Sequence, residues 1–156
     1  MALFNQIFPA TIAKLQANLN FTKPNADSLS LTTKINLSSF TNVIQLTGAS
    51  LVVNVGDVKM PFTLDNKGRS IGANGACRLA YTKPTRTKMG FWTLTATYGK
   101  GNWRAQWANY GLDNASHKSP GAVVTLPVMV LVGNKIFIAE PTLHYTATMN
   151  KTGLAK

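Results

Sequence analysis

A chain of 156 residues with 45% hydrophobic and 13% charged side chains is apolar enough to bury a core, and its length favours one domain. That composition argues against disorder, and no run approaches the 18 apolar residues of a membrane-spanning helix. Sixteen Lys and Arg against five acids give a net charge of +11, a balance that bears on polyanionic partners and not on the fold.

The first nine residues, Met-Ala-Leu-Phe-Asn-Gln-Ile-Phe-Pro, lack the basic and long apolar regions of an intact signal peptide. Residues 1–14 read as an apolar N-terminal arm, with Phe4, Ile7, Phe8 and Ile12 around Pro9. Such an arm packs on its own domain or docks on a neighbouring subunit. Residues 15–156 read as one domain. Leu15, Ala17, Leu19 and Phe21 alternate with polar residues, the period of a half-buried strand. A turn through Lys23-Pro24-Asn25 leads to Asp27–Leu37, where Leu29, Leu31, Ile35 and Leu37 share one parity and Ser28, Ser30, Thr32, Lys34 and Asn36 take the other.

Residues 38–48 read as a connection. Two strands then flank Gly56-Asp57, with Leu51, Val53 and Val55 before it and Val58, Met60, Phe62 and Leu64 after it. Glycine in the first loop position suggests a type II′ hairpin turn. Pro61 cannot donate to a ladder, which places its strand at an edge. A Gly-rich segment to residue 75 reads as loose. Cys77, Leu79 and Tyr81 mark an inward strand parity, residues 83–90 a basic loop, and Trp92, Leu94, Ala96 and Tyr98 the next strand.

The period then changes. Trp103, Trp107 and Tyr110 stand at i, i+4 and i+7, predicting one helix near 102–110, capped by Asn102 and ended by Gly111. After a polar connection over 112–121, Val124, Leu126, Val128, Val130 and Val132 predict one long strand. Gly133-Asn134 turns it back into Ile136–Ala139, and a last strand carries Leu143, Tyr145 and Ala147. Eight or nine short strands with hairpin turns and one helix predict an all-β fold, an antiparallel two-sheet β-sandwich of immunoglobulin-like size.

The chain from 15 to 156 also resembles a known kind of domain. The matching pieces are Asn20-Phe21, Ala26-Asp27-Ser28-Leu29, Val53-Asn54-Val55-Gly56, Thr63-Leu64-Asp65-Asn66-Lys67-Gly68, Gly111-Leu112, Val124-Thr125-Leu126-Pro127-Val128, Tyr145-Thr146-Ala147 and Lys151-Thr152-Gly153. They resemble domains repeated in tandem in very large surface or secreted proteins of certain environmental bacteria, repeats with no assigned activity. The resemblance implies a β-sandwich at a cell surface or outside the cell, and carries no catalytic residue across. A cytoplasmic location stays open.

Catalysis needs groups of complementary pKa held together. The five acids Asp27, Asp57, Asp65, Asp113 and Glu140 stand mostly in or beside turns, where backbone hydrogen bonding accounts for them. His117 and His144 fit no metal-binding spacing, and the single cysteine, Cys77, reads as a buried structural thiol. No cofactor, no metal and no enzymatic activity are expected.

The basic region is the more informative signal. Between Asp65 and Asp113 there is no acid and there are eight bases. Six of them, Arg78, Lys83, Arg86, Lys88, Lys100 and Arg104, form a candidate polyanion-binding set for nucleic acid or an acidic polysaccharide. Interleaved aromatic residues could stack on bases or sugars, although Tyr81, Trp92, Trp103, Trp107 and Tyr110 have core spacing. Two functions follow as expectations. One is a structural module of a bacterial surface layer, matrix or filament. It would associate with itself or with other surface-protein domains through Phe4, Ile7, Phe8 and Ile12. The other is a polyanion-binding module without membrane insertion.

Overall fold

A computed structural model describes residues 6–36, 47–87 and 91–156. Phe4 and Lys88, together with most of the 38–48 connection, lie outside the described residues. The structure is an all-β sandwich of two sheets with one short helix.

The smaller sheet contains β1 (Gln6–Pro9), β4 (Ser50–Val55), β5 (Val58–Thr63), β10 (Val128–Val132) and β11 (Lys135–Ala139), in the order β1-β11-β10-β4-β5. The larger contains β2 (Thr11–Asn20), β3 (Asp27–Ile35), β6 (Arg69–Ile71), β7 (Gly75–Thr82), β8 (Phe91–Gly101), β9 (His117–Thr125), β12 (Thr142–Ala147) and β13 (Thr152–Ala155). Its order is β6-β7-β8-β3-β2-β13-β12-β9, so β3, the strand with the clearest alternation, lies near its centre. Every pairing is antiparallel except β1 with β11.

The inward parities meet in one core. Leu29, Leu31 and Ile35 from β3, Leu51, Val53 and Val55 from β4, and Val128, Val130 and Phe137 from β10 and β11 are all buried. Thr33, the polar break in the β3 pattern, is fully buried, and its hydroxyl donates to the Thr11 carbonyl at 3.0 Å. A buried hydroxyl needs such a partner.

The structure corrects several expectations. The long strand foreseen across 124–132 is two strands in different sheets. The chain crosses between them at Leu126-Pro127, where proline has no N–H for a ladder. Both Gly56 and Asp57 have positive φ (54° and 66°), so the β4–β5 turn has the conformation of type I′ rather than II′. In the β10–β11 turn Gly133 has positive φ (60°). Strand also replaces expected loop at β6 and at the start of β9, and a further strand, β13, follows the last one foreseen.

The helix α1 (Arg104–Ala108) is shorter than expected, and its N-cap is Trp103, with no side-chain cap. Gly111, at φ 91°, ends the turn, and the Leu112 N–H donates back to the Trp107 carbonyl at 3.1 Å. Pro61 does sit on an edge strand, β5. Among the described residues no helix is long and apolar enough to cross a membrane.

Candidate functional site

The sandwich leaves two broad outer faces, one mainly apolar and one mainly polar and basic. Cross-strand register places Ile7, Ile136, Leu131, Val52 and Pro61 in one row across the whole five-stranded sheet. The neighbouring row reads Pro9, Ile138, Met129, Asn54 and Lys59. These are the outward positions, because Phe137, Val130 and Val53 between them point inward and are fully buried. Ile7, Met129 and Ile138 keep 62%, 41% and 43% of their surface exposed. With strands about 4.8 Å apart, the two rows cover roughly 300–400 Å², the size of the largest apolar patch on an ordinary monomer and often a functional one.

The outer face of the eight-stranded sheet is mainly polar and basic from β6 to β2, with Ile71 on β6 and Val123 on β9 as exposed apolar residues at its two ends. One row reads Arg69, Arg78, Thr95, Thr32 and Lys14 from β6 to β2. On one side of it lie Thr93 and Lys34, on the other Thr97, Ser30 and Gln16. The Lys34 ammonium lies 4.7 Å from the centroid of the Phe91 ring. Among the described residues no acidic side chain occupies an outward strand position on this face. The nearest acid is Asp65, in the turn before β6, 3.5 Å from Arg69. The backbone N–H of Arg69 holds the Asp65 carboxyl below its ordinary range.

The six bases picked out in the sequence do not form one cluster. Lys83 and Arg86 are exposed in the β7–β8 connection, beyond Thr82. Lys100 lies at the other end of the eleven-residue β8, about 30 Å away at 3.3 Å per residue. There a register shift against β3 and a φ of 55° turn it out of the ladder. Arg104 starts α1, and its guanidinium donates to the carbonyls of Phe21 (3.4 Å) and Lys23, tying down the β2–β3 turn. Arg78 alone of the described five joins the row across the sheet.

Lys14 and Lys34, which do join it, lie outside the acid-free window. They are found by following the polar parity of β2 and β3 into register.

The N-terminal hydrophobic residues also divide. Phe8 stacks on Phe137 at 5.6 Å and Ile12 packs against the core, so both are engaged within their own domain. Ile7 alone of the described three points outward. β1 is therefore an edge strand of its own sheet, and β2 already begins at Thr11.

Aromatic residues follow the core reading in part. Trp107 is fully buried, its indole N–H donating to the Val55 carbonyl at 3.1 Å, and Trp103 is 8% exposed. Tyr81 departs from the expectation. It is 49% exposed and leans on Trp92 at 5.1 Å, because its inward parity continues past the end of the core.

The acids stand apart, each in its own local structure. Asp27, 1% exposed, accepts the N–H of Asn20 at 2.9 Å and of Trp103 at 2.7 Å. Asp57 accepts the Tyr110 hydroxyl at 2.6 Å, and that bond raises the tyrosine pKa. Asp113 lies 2.8 Å from His117 Nε2, a contact that holds its carboxyl below the usual range. The buried Tyr145 hydroxyl, its pKa pushed up by burial, donates to the Asp113 carbonyl at 2.6 Å. Burial pushes the Cys77 thiol up to about 11, as expected of an inert core cysteine. Among the described residues no three His, Cys, Asp or Glu side chains gather to hold a metal ion.

Comparison with protein-family models, with curated proteins and with solved structures returns no match.

Proposed function

We propose that this β-sandwich is a non-enzymatic structural module of a bacterial surface layer, matrix or filament, associating with its own kind through the outer face of its five-stranded sheet. The observation that carries the reading is the pair of apolar rows running from Ile7 to Pro61 and from Pro9 to Met129. Exposed patches of this kind mark interaction surfaces. The likeness to tandem surface domains supports the same reading.

The size of the patch sets the strength of the contact. Two copies meeting face to face would bury roughly 600–800 Å² in total, against the 1,200–2,000 Å² of stable complexes. A single contact is therefore weak, and the net charge of +11 on each copy opposes it further. Several such domains held together would gain through effective concentration what one pair lacks. Weak pairwise contact with strong collective contact suits an assembly module.

The test is light scattering of the full chain over a range of concentrations, beside the variant Met129→Glu/Ile138→Glu. Both residues are substantially exposed, so the variant should keep its fold. The wild-type mass is expected to rise with concentration and the variant to stay monomeric. A wild type that remains monomeric throughout, or a variant that associates equally, would refute the reading. Deleting residues 1–13 is a poorer test, because it removes β1 and the start of β2 and perturbs the fold.

A further inference from the structure

We infer that the outer face of the eight-stranded sheet binds an acidic polysaccharide, a sulfated or carboxylated glycan lying along the row from Arg78 to Lys14. This site is independent of the assembly face and lies on the other side of the sandwich.

Arg78, Thr95, Thr32 and Lys14 stand opposite one another on four successive strands, β7, β8, β3 and β2. At about 4.8 Å per step the row is roughly 14 Å long, and Arg69 on β6 extends it to roughly 19 Å. Lys34 lies two residues from Thr32 along β3, on the same face. Arg78, Lys14 and Lys34, with no partner carboxylate among the described residues, thus surround a floor of hydroxyls and one amide: Thr93, Thr95, Thr97, Ser30 and Gln16.

Each part has a task in binding such a polymer. The guanidinium of Arg78 presents paired N–H donors that match a sulfate or carboxylate. Lys14 and Lys34 add point charges. The hydroxyls between them both donate and accept, which suits sugar hydroxyls and ring oxygens. The face is extended, as a polymer requires.

A second observation points the same way. Arg69 and Arg78 are directly opposed on adjacent strands, and like charges in that position repel. Asp65 offsets the charge of Arg69 from the turn but not that of Arg78. An anion bridging the two arginines would relieve the repulsion.

Nucleic acid fits less well. Single-strand binders draw affinity from aromatic rings on which bases stack. On this face the ring of Phe91 is covered by the Lys34 ammonium, while Tyr81 and Trp92 pack on each other from the inward parity at the end of the sheet. A flat sheet face also offers nothing to enter a duplex groove.

The experiment measures binding of the full chain to dextran sulfate, to polygalacturonate and to an oligothymidylate, at about 50 and about 200 mM salt. By the counterion-release slope known for nucleic acids, three contacts lose roughly 20- to 40-fold in affinity over that range. Both polysaccharides are expected to bind with that dependence and more tightly than the oligonucleotide. The variant Lys14→Ser/Lys34→Ser/Arg78→Ser should lose at least about tenfold, while Lys23→Ser/Lys59→Ser/Lys151→Ser, with the same net charge, should lose less than about threefold. The single variant Lys34→Ser serves as a milder check, and circular dichroism confirms the fold of all three. Equal losses in the two triple variants would show a response to net charge alone and overturn the site. Tighter binding of the oligonucleotide would overturn the choice of polymer, and absence of binding would overturn both.

Discussion

Replacing Asp27 by Ala should be among the most damaging single changes to this fold. Its carboxylate is buried and holds two distant points of the chain: the Asn20 N–H at the end of β2 and the Trp103 N–H at the start of α1. The Trp103 N–H bond is buried and the Asn20 N–H bond partly so. Each donor left without an acceptor costs about 1–3 kcal/mol, so the Ala variant should lose about 3–4 kcal/mol. That is a large share of the 5–15 kcal/mol typical of a domain. Asp27→Asn keeps one acceptor oxygen and should lose about half as much. Urea unfolding followed by tryptophan fluorescence measures both. With a slope of roughly 2 kcal/mol per molar, the Ala midpoint should fall by about 1.5–2 M and the Asn midpoint by about half that. An Ala variant within about 0.5 M of wild type, or an Asn variant no better than Ala, would refute the two-donor account.

Other expectations follow from single contacts. Gly56→Ala should cost about 2–4 kcal/mol, from positive φ together with overpacking. A Cβ there would stand 2.5 Å from Leu126 Cδ1 and 2.8 Å from Trp107 Cδ1, and unchanged thermal stability would contradict that geometry. Cys77, with its thiol pushed up to about 11, holds about one thiolate per thousand at pH 8. A disulfide reagent should therefore modify it only as fast as the protein unfolds; reaction at the rate of a free thiol would show it accessible.

The two-sheet architecture was legible in the sequence because period-2 alternation is a local signal. Leu29, Leu31 and Ile35 announce the inward face of β3 without reference to any other strand. What stayed hidden depends on partners. Val124 to Val132 keep one parity throughout, and only the sheet pairing reveals that the chain changes sheets at Leu126-Pro127. β6 and β13 are three and four residues long, too short to show a period, and are held as strands by β7, β2 and β12.

Asp27 looked like a turn residue because its second partner, Trp103, lies 76 positions away.

The candidate site was legible only in part, for the same reason. A run of bases from 78 to 104 lies close in sequence, but a strand of eleven residues carries its ends far apart, and Arg104 is bound to backbone carbonyls. The bases that share a face, Lys14, Lys34 and Arg78, belong to three different strands. The apolar face opposite was hidden likewise. Ile7, Ile136, Leu131, Val52 and Pro61 form a row only once five strands are set in order.

The most direct test of the assembly account is dipolar spectroscopy on the protein spin-labelled at one position per face. Met129→Cys labels the apolar face and Thr95→Cys the basic one, while the buried Cys77 should remain unlabelled. At high concentration the account predicts strong short-range coupling between copies labelled at 129 and much weaker coupling between copies labelled at 95, whose sheets lie about 30 Å apart in a face-to-face pair. Coupling at 95 with none at 129, or none at either position, would contradict it.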